Sequence, residues 1–164
     1  MKSKTVLSIG FLTGFSLSCI SAMAATVEVQ WQEPEHYRDM RTTDSGQNRY
    51  QAKVMDELET QFRQSAEVLP EGQTLQITVK DVDLAGSIEY FYRNYSFGLR
   101  VVRNIDSPAM ELSYALVDST GEIVKSGDDR LVDPGFNFST LVKMNRSPLY
   151  YEKVLIRDWV KATF

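Results

Sequence analysis

Residues 81–83 read Asp-Val-Asp and open the stretch DVDLAG, two carboxylates one residue apart. Paired carboxylate oxygens suit a hard cation such as calcium or magnesium, or acid–base work at a scissile bond. Calcium asks for about six to eight oxygens, however, and the spaced acids and closing glutamate of a calcium loop are missing here. Side chains at i and i+2 share one face of a strand, so Asp81 and Asp83 repel each other unless a cation or an arginine lies between them. Arg100 and Arg103 are the arginines expected to do so, and the bland alternative is a charged strand end facing water. His36 is the single histidine and lies in a polar stretch, with no G-x-S-x-G elbow for a nucleophile. A zinc site built on several histidines is therefore excluded, and with no G-x-G-x-x-G or P-loop pattern nucleotide binding has no support. The other chemistry-bearing run is aromatic: Tyr90, Phe91, Tyr92 and Tyr95, with Phe97 beyond and Arg93 and Arg100 alongside. Aromatics beside arginine are the composition of interface centres. Their bland reading is a lid or core piece folded on a sheet.

The elements that position these residues follow from hydrophobic periodicity. Val27, Val29 and Trp31 alternate as a short strand, and the polar stretch after it reads as a loop. Asp44 with Gln47 resembles a capping box, and Tyr50, Val54, Leu58, Phe62 and Ala66 recur every four residues, which predicts an amphipathic helix. That helix is expected to stop near Leu69, because Pro70 disfavours helical geometry before it. Leu75, Ile77 and Val79 alternate as a half-buried strand, but apolar residues then move to even positions, Val82 and Leu84. This change of phase implies a bulge or a strand leaving the core, with both aspartates outside the apolar interior. Leu99 to Ile105, Met110 to Leu116 and Ile123 to Val132 predict three more strands. Ser147-Pro148 predicts the start of a last helix carrying Tyr151, Leu155 and Trp159 in a stripe, with Glu152, Lys153, Arg157 and Asp158 as solvated charges or local ion pairs. The order β-α-β-β-β-β-α predicts an α+β fold: a single, mostly antiparallel sheet of about five strands packed with two helices.

Residues 1–24 predict export. Lys2 and Lys4 precede an apolar run from Val6 to Ile20, and Ala22-Met23-Ala24 supplies small residues for a peptidase. The run is about 15 residues, short of the roughly 20 needed to span a bilayer. The expected organisation is a signal peptide over 1–24, cleaved after Ala24, and one α+β domain over 25–164, located in the periplasm. The alternative is a lipoprotein anchored at Cys19, although the leucine usual three residues ahead is missing. Cys19 is the only cysteine, so cleavage after Ala24 leaves no disulfide and no thiolate chemistry. Removing the two lysines of the leader leaves 16 basic against 22 acidic residues, a charge that disfavours nucleic acid and anionic lipid as partners.

DVDLAG, RVVRNIDSPAMELSYALVDSTGEIVKSGDDRLVD and YYEKVLIRDW together resemble a family of secreted bacterial proteins catalogued as domain of unknown function 3016. The likeness runs from about Val27 to Trp159. It implies an envelope setting and transfers no catalytic role, cofactor or metal. It also marks Asp81, Asp83, Gly86, Arg100, Arg103, Pro108, Tyr114, Tyr151, Glu152, Lys153 and Trp159 for attention. The reading is an exported, non-enzymatic binding module for an envelope protein or other envelope component. Its candidate binding residues are Asp81, Asp83, Tyr90, Phe91, Tyr92, Arg93, Tyr95, Arg100 and Arg103. The alternative is a small cation-dependent enzyme or hydrolase using Asp81 and Asp83.

Overall fold

A computed structural model of the chain describes residues 25–40, 47–89, 99–103, 105–136 and 149–164. Strands β1 (Thr26–Trp31), β2 (Thr74–Asp83), β5 (Ala109–Val117) and β6 (Ile123–Val132) form one sheet in the order β1-β2-β5-β6. Strands β3 (Ser87–Glu89) and β4 (Leu99–Val101) pair with each other as a separate two-stranded ribbon. Helices α1 (Gln47–Ser65) and α2 (Tyr150–Thr163) complete the α+β architecture expected from the pattern of apolar residues. β1 runs parallel to β2, as a strand–helix–strand crossover through α1 requires, and the other pairings are antiparallel. The ribbon is the departure from the expected layout: the stretch after β2 folds back on itself before the chain re-enters the sheet at β5.

Burial follows the sequence pattern closely. Leu75, Ile77 and Val79 of β2 pair across the sheet with Leu116, Tyr114 and Leu112 of β5, and all six are buried. Onto this face α1 lays Val54, Leu58 and Phe62, the turn after it lays Ala66, and α2 lays Leu155, Ile156, Trp159 and Val160. Lys153 of α2 reaches Glu57 of α1 at 2.7 Å across the helix pair. The ring of Trp159 meets Phe62 and Tyr114 edge to face, and its Nε1–H donates to Asp129 of β6 at 2.8 Å. Tyr114 lies opposite Gly127, where a Cβ would fall 3.0 Å from its hydroxyl, so the glycine makes room for the ring. α1 gives way to a 3₁₀ turn at Ala66–Val68, and Leu69 is extended before Pro70 as proline demands. The predicted caps at Asp44 and at Ser147-Pro148 lie outside the described residues.

The opposite face of the sheet is polar. Gln76, Thr78, Ser113 and Glu111 lie there with Asp128 and Arg130 of β6, and Lys80 forms an ion pair with Asp128. The sheet thus has one dry side under the helices and one wet side.

Candidate functional site

The phase change read from the sequence is a bulge. The register of β2 against β5 slips between Val79 and Asp81, so Val82 takes over the inward position opposite Met110. Two donors meet at the slip: the Val79 carbonyl accepts the Gln32 N–H at 2.9 Å and the Tyr37 hydroxyl at 2.7 Å. Burial pushes the Tyr37 hydroxyl up to about 12, so it stays a donor at any ordinary pH.

Beyond the bulge β2 stays paired with β5 as far as Asp83, and side chains hold the turn that follows. Asp81 is half-buried, and one of its oxygens accepts its neighbour's amide, Val82 N–H, at 2.9 Å. With Asp83, Ala109, Met110, Glu111 and Arg130 it lines a cleft of about 190 Å³ on the wet side. The arginine there is Arg130, bonded to Glu111 at 3.2 Å. It is not Arg100 or Arg103, the partners expected from the sequence. The carboxyl of Asp39, from a 3₁₀ turn at Arg38–Met40, instead feels the charge of Asp83. Asp39 also accepts the Leu84 N–H at 3.1 Å. Burial first, then Asp83, push the Asp39 carboxyl up to about 7.

One residue further, the Ala85 N–H donates to Glu152 of α2 at 2.7 Å. Glu152 is 1% exposed and also accepts from Arg100 of β4, whose Nε–H donates to the Ala85 carbonyl at 2.6 Å. Arg100 therefore closes a ring linking the 84–86 turn, the ribbon and the last helix. The second oxygen of Glu152 is buried and bonds to nothing among the described residues. Gly86 completes the clamp. Its φ is +83°, and a Cβ there would stand 2.3 Å from the Val101 carbonyl. Its N–H donates to the Asp106 carbonyl at 3.2 Å. Arg103, at the other foot of the ribbon, pairs with Glu89 and lies 4.0 Å from Asp106.

The residues picked out by type and spacing thus divide three ways. Asp81 and Asp83 share a cleft, while Arg100 and Arg103 hold the ribbon that leaves it. Tyr90, Phe91, Tyr92, Arg93 and Tyr95 lie outside the described residues, in the segment joining β3 to β4. His36 is exposed, as expected, but closes a 3₁₀ turn at Pro34–His36 rather than lying in a loop, and it meets Glu33 at 3.3 Å. Arg157 and Asp158 form the expected local pair. Glu152 overturns its expectation: it is a buried ion-pair partner, not a solvated charge. Its helical spacing to Ile156 and Val160, both buried, is the signal that was available, a charged residue on an otherwise apolar stripe. Asp39 sits in an aperiodic polar stretch and carried no comparable signal. Among the described residues no three histidine, cysteine, aspartate or glutamate side chains are grouped to hold a metal ion.

The sequence profile described as "Protein of unknown function (DUF3016)" matches residues 25–162. The chain belongs to the DUF3016 family. The match takes in both sheets, α1 and all but the last residue of α2 in this DUF3016 protein. No curated protein matches it. Among solved structures it is similar to the PelC dodecamer from Paraburkholderia phytofirmans in two crystal forms. One, a point variant, is 13% identical with a TM-score of 0.34, covering 84% of this chain and 82% of that one. The other is 14% identical with a TM-score of 0.35, covering 84% and 83%. No helix among the described residues is long and apolar enough to cross a membrane.

Proposed function

We propose that this DUF3016 chain is an exported, non-enzymatic binding module of the bacterial envelope, and that it recognises a protein or envelope component through residues 88–100. The observation that carries the reading is the buried Glu152–Arg100–Ala85 ring. Ionised groups are costly to bury, and here they hold the foot of the β3–β4 ribbon to the body. The segment 90–98 springs from that ribbon, and it holds Tyr90, Phe91, Tyr92, Arg93 and Tyr95. Fixing the two ends of a recognition segment lowers the ordering cost of binding. Export is supported by the order of charged, apolar and small residues over 1–24, with periplasmic release after Ala24.

Catalysis by Asp81 and Asp83 has weaker support. Asp81 bonds to its neighbour's amide, Asp83 acts on Asp39 through its charge, and the remaining groups of the cleft, Glu111 and Arg130, neutralise each other. The test is affinity capture from envelope extracts with the processed protein, compared with a variant carrying Tyr90→Ala, Tyr92→Ala and Tyr95→Ala. The variant should melt at the temperature of the unaltered protein and lose the captured partners. Identical partners from both forms would remove the segment from the mechanism.

A further inference from the structure

The four-stranded sheet has two edges, and they are built differently. β1 has six residues, with Val27 buried and Val29 and Trp31 packed against the core. β6 has ten, and of these Leu131 alone is buried. No strand pairs with the outer side of β6 among the described residues. Folded proteins keep such edges short or charged, because a row of free N–H and C=O groups invites another strand. β6 is long, and its register against β5 runs without a break from Val132 to Lys125. It also leaves three β-branched residues in water: Ile123 is 64% exposed, Val124 55% and Val132 44%.

The charges of β6 do not guard it against a copy of itself. Two copies of one strand can pair antiparallel about a two-fold axis, and residues of the same parity then stand opposite each other when both dry sides face one way. With the axis at Gly127, Lys125 of each copy stands opposite Asp129 of the other, and Ser126 opposite Asp128. The Lys125–Asp129 match occurs twice, and no like charges are directly opposed. An axis at Lys125, Asp128, Asp129 or Arg130 sets a charge against itself, and one at Ser126 opposes no unlike charges within the strand. Both matched groups keep capacity for a partner. Lys125 gives one of its donors to the Thr163 carbonyl, and Asp129 accepts from Trp159 at one oxygen. On the wet side Asp128 and Arg130 are already paired with Lys80 and Glu111, so neither brings an uncompensated charge to the axis.

We propose that β6 is a docking edge for a second copy of this chain: two protomers join β6 to β6, antiparallel about an axis at Gly127. The two four-stranded sheets become one continuous sheet, with the helices of both copies on one side and a single polar surface on the other. The pairing does not rest on what residues 88–100 recognise, and its test uses no other partner. An edge-to-edge contact is small, so the dimer forms in the micromolar range.

The experiment is sedimentation velocity on the intact processed protein from about 1 to about 300 µM, which brackets that range. The unaltered protein should pass from monomer to dimer across this series, and the transition should move to higher concentration as salt is added. Lys125→Glu sets a carboxylate against Asp129 at both matches and should raise the dissociation constant about tenfold or more. A monomer at every concentration overturns the proposal, as does an assembly larger than a dimer, since an isologous edge closes on itself. A dimer equally stable in Lys125→Glu overturns it too, because the contact then lies elsewhere. Should that variant not fold, Ser126→Glu changes an exposed side chain, sets a carboxylate against Asp128 and is read the same way.

Discussion

β2 and the turn that follows it form two regions of one stretch of chain, divided at Lys80. Before it, Leu75, Ile77 and Val79 are buried under the helices and held by apolar packing against β5. After it, Val82 and Leu84 still fill the core, but the backbone amides of Leu84 and Ala85 are taken by the carboxyls of Asp39 and Glu152. The first region is cemented by contacts that carry no direction. The second is fixed by hydrogen bonds and an ion pair that do. The difference teaches where this fold puts directional interactions: at the place where the chain leaves the sheet to build a ribbon, which packing alone would leave free to swing.

That contrast predicts unequal responses to small changes. Glu152→Ala should have the largest effect. It leaves Arg100, three-quarters buried, and the Ala85 amide without their common acceptor, a loss of about 3–5 kcal/mol for breaking a buried pair from one side. Urea unfolding measures it, and a loss under about 1 kcal/mol would mean that water replaces the carboxylate and the ring is not a clamp. Ile77→Val, on the apolar side of the bulge, removes one methylene from a site that is 1% exposed and should cost about 1 kcal/mol. The pattern matters more than either value. The apolar substitution should lower global stability while leaving the relative protection of the 84–86 amides unchanged, whereas Glu152→Ala should lower both.

The two regions also differ in how far the sequence revealed them. Alternation at Leu75, Ile77 and Val79 exposes one strand face because burial selects residue type at every second position. The shift to Val82 and Leu84 exposed the bulge for the same reason. The aspartates could be placed outside the core by parity alone. Their surroundings could not, because the charge of Asp83 acts on Asp39 across a chain separation with no periodic trace. Arg100 and Arg103 were expected beside the aspartates as residues of a neighbouring strand. The return of β3 and β4 as a ribbon instead sends Arg100 to Glu152 and Arg103 to Glu89. Glu152 was legible only by reading its helical register, with Ile156 and Val160, before its charge.

The smallest effect is expected at the dividing residue itself. Lys80 is exposed and crosses β5 to pair with Asp128 of β6, whose carboxylate is more exposed still. A pair in that setting is screened by solvent and costs side-chain entropy to hold, so Lys80→Ala should change stability by less than about 1 kcal/mol, and by less again as salt is added. The bulge should survive, because its carbonyl at Val79 is held by the Tyr37 hydroxyl and the Gln32 amide rather than by the lysine. Urea unfolding at low and high salt measures the first part, and the exchange protection of Val82 measures the second. A loss of several kcal/mol with collapse of that protection would place the cause of the phase change in the surface ion pair. The boundary between the two regions would then be electrostatic in origin rather than set by the buried tyrosine beneath it.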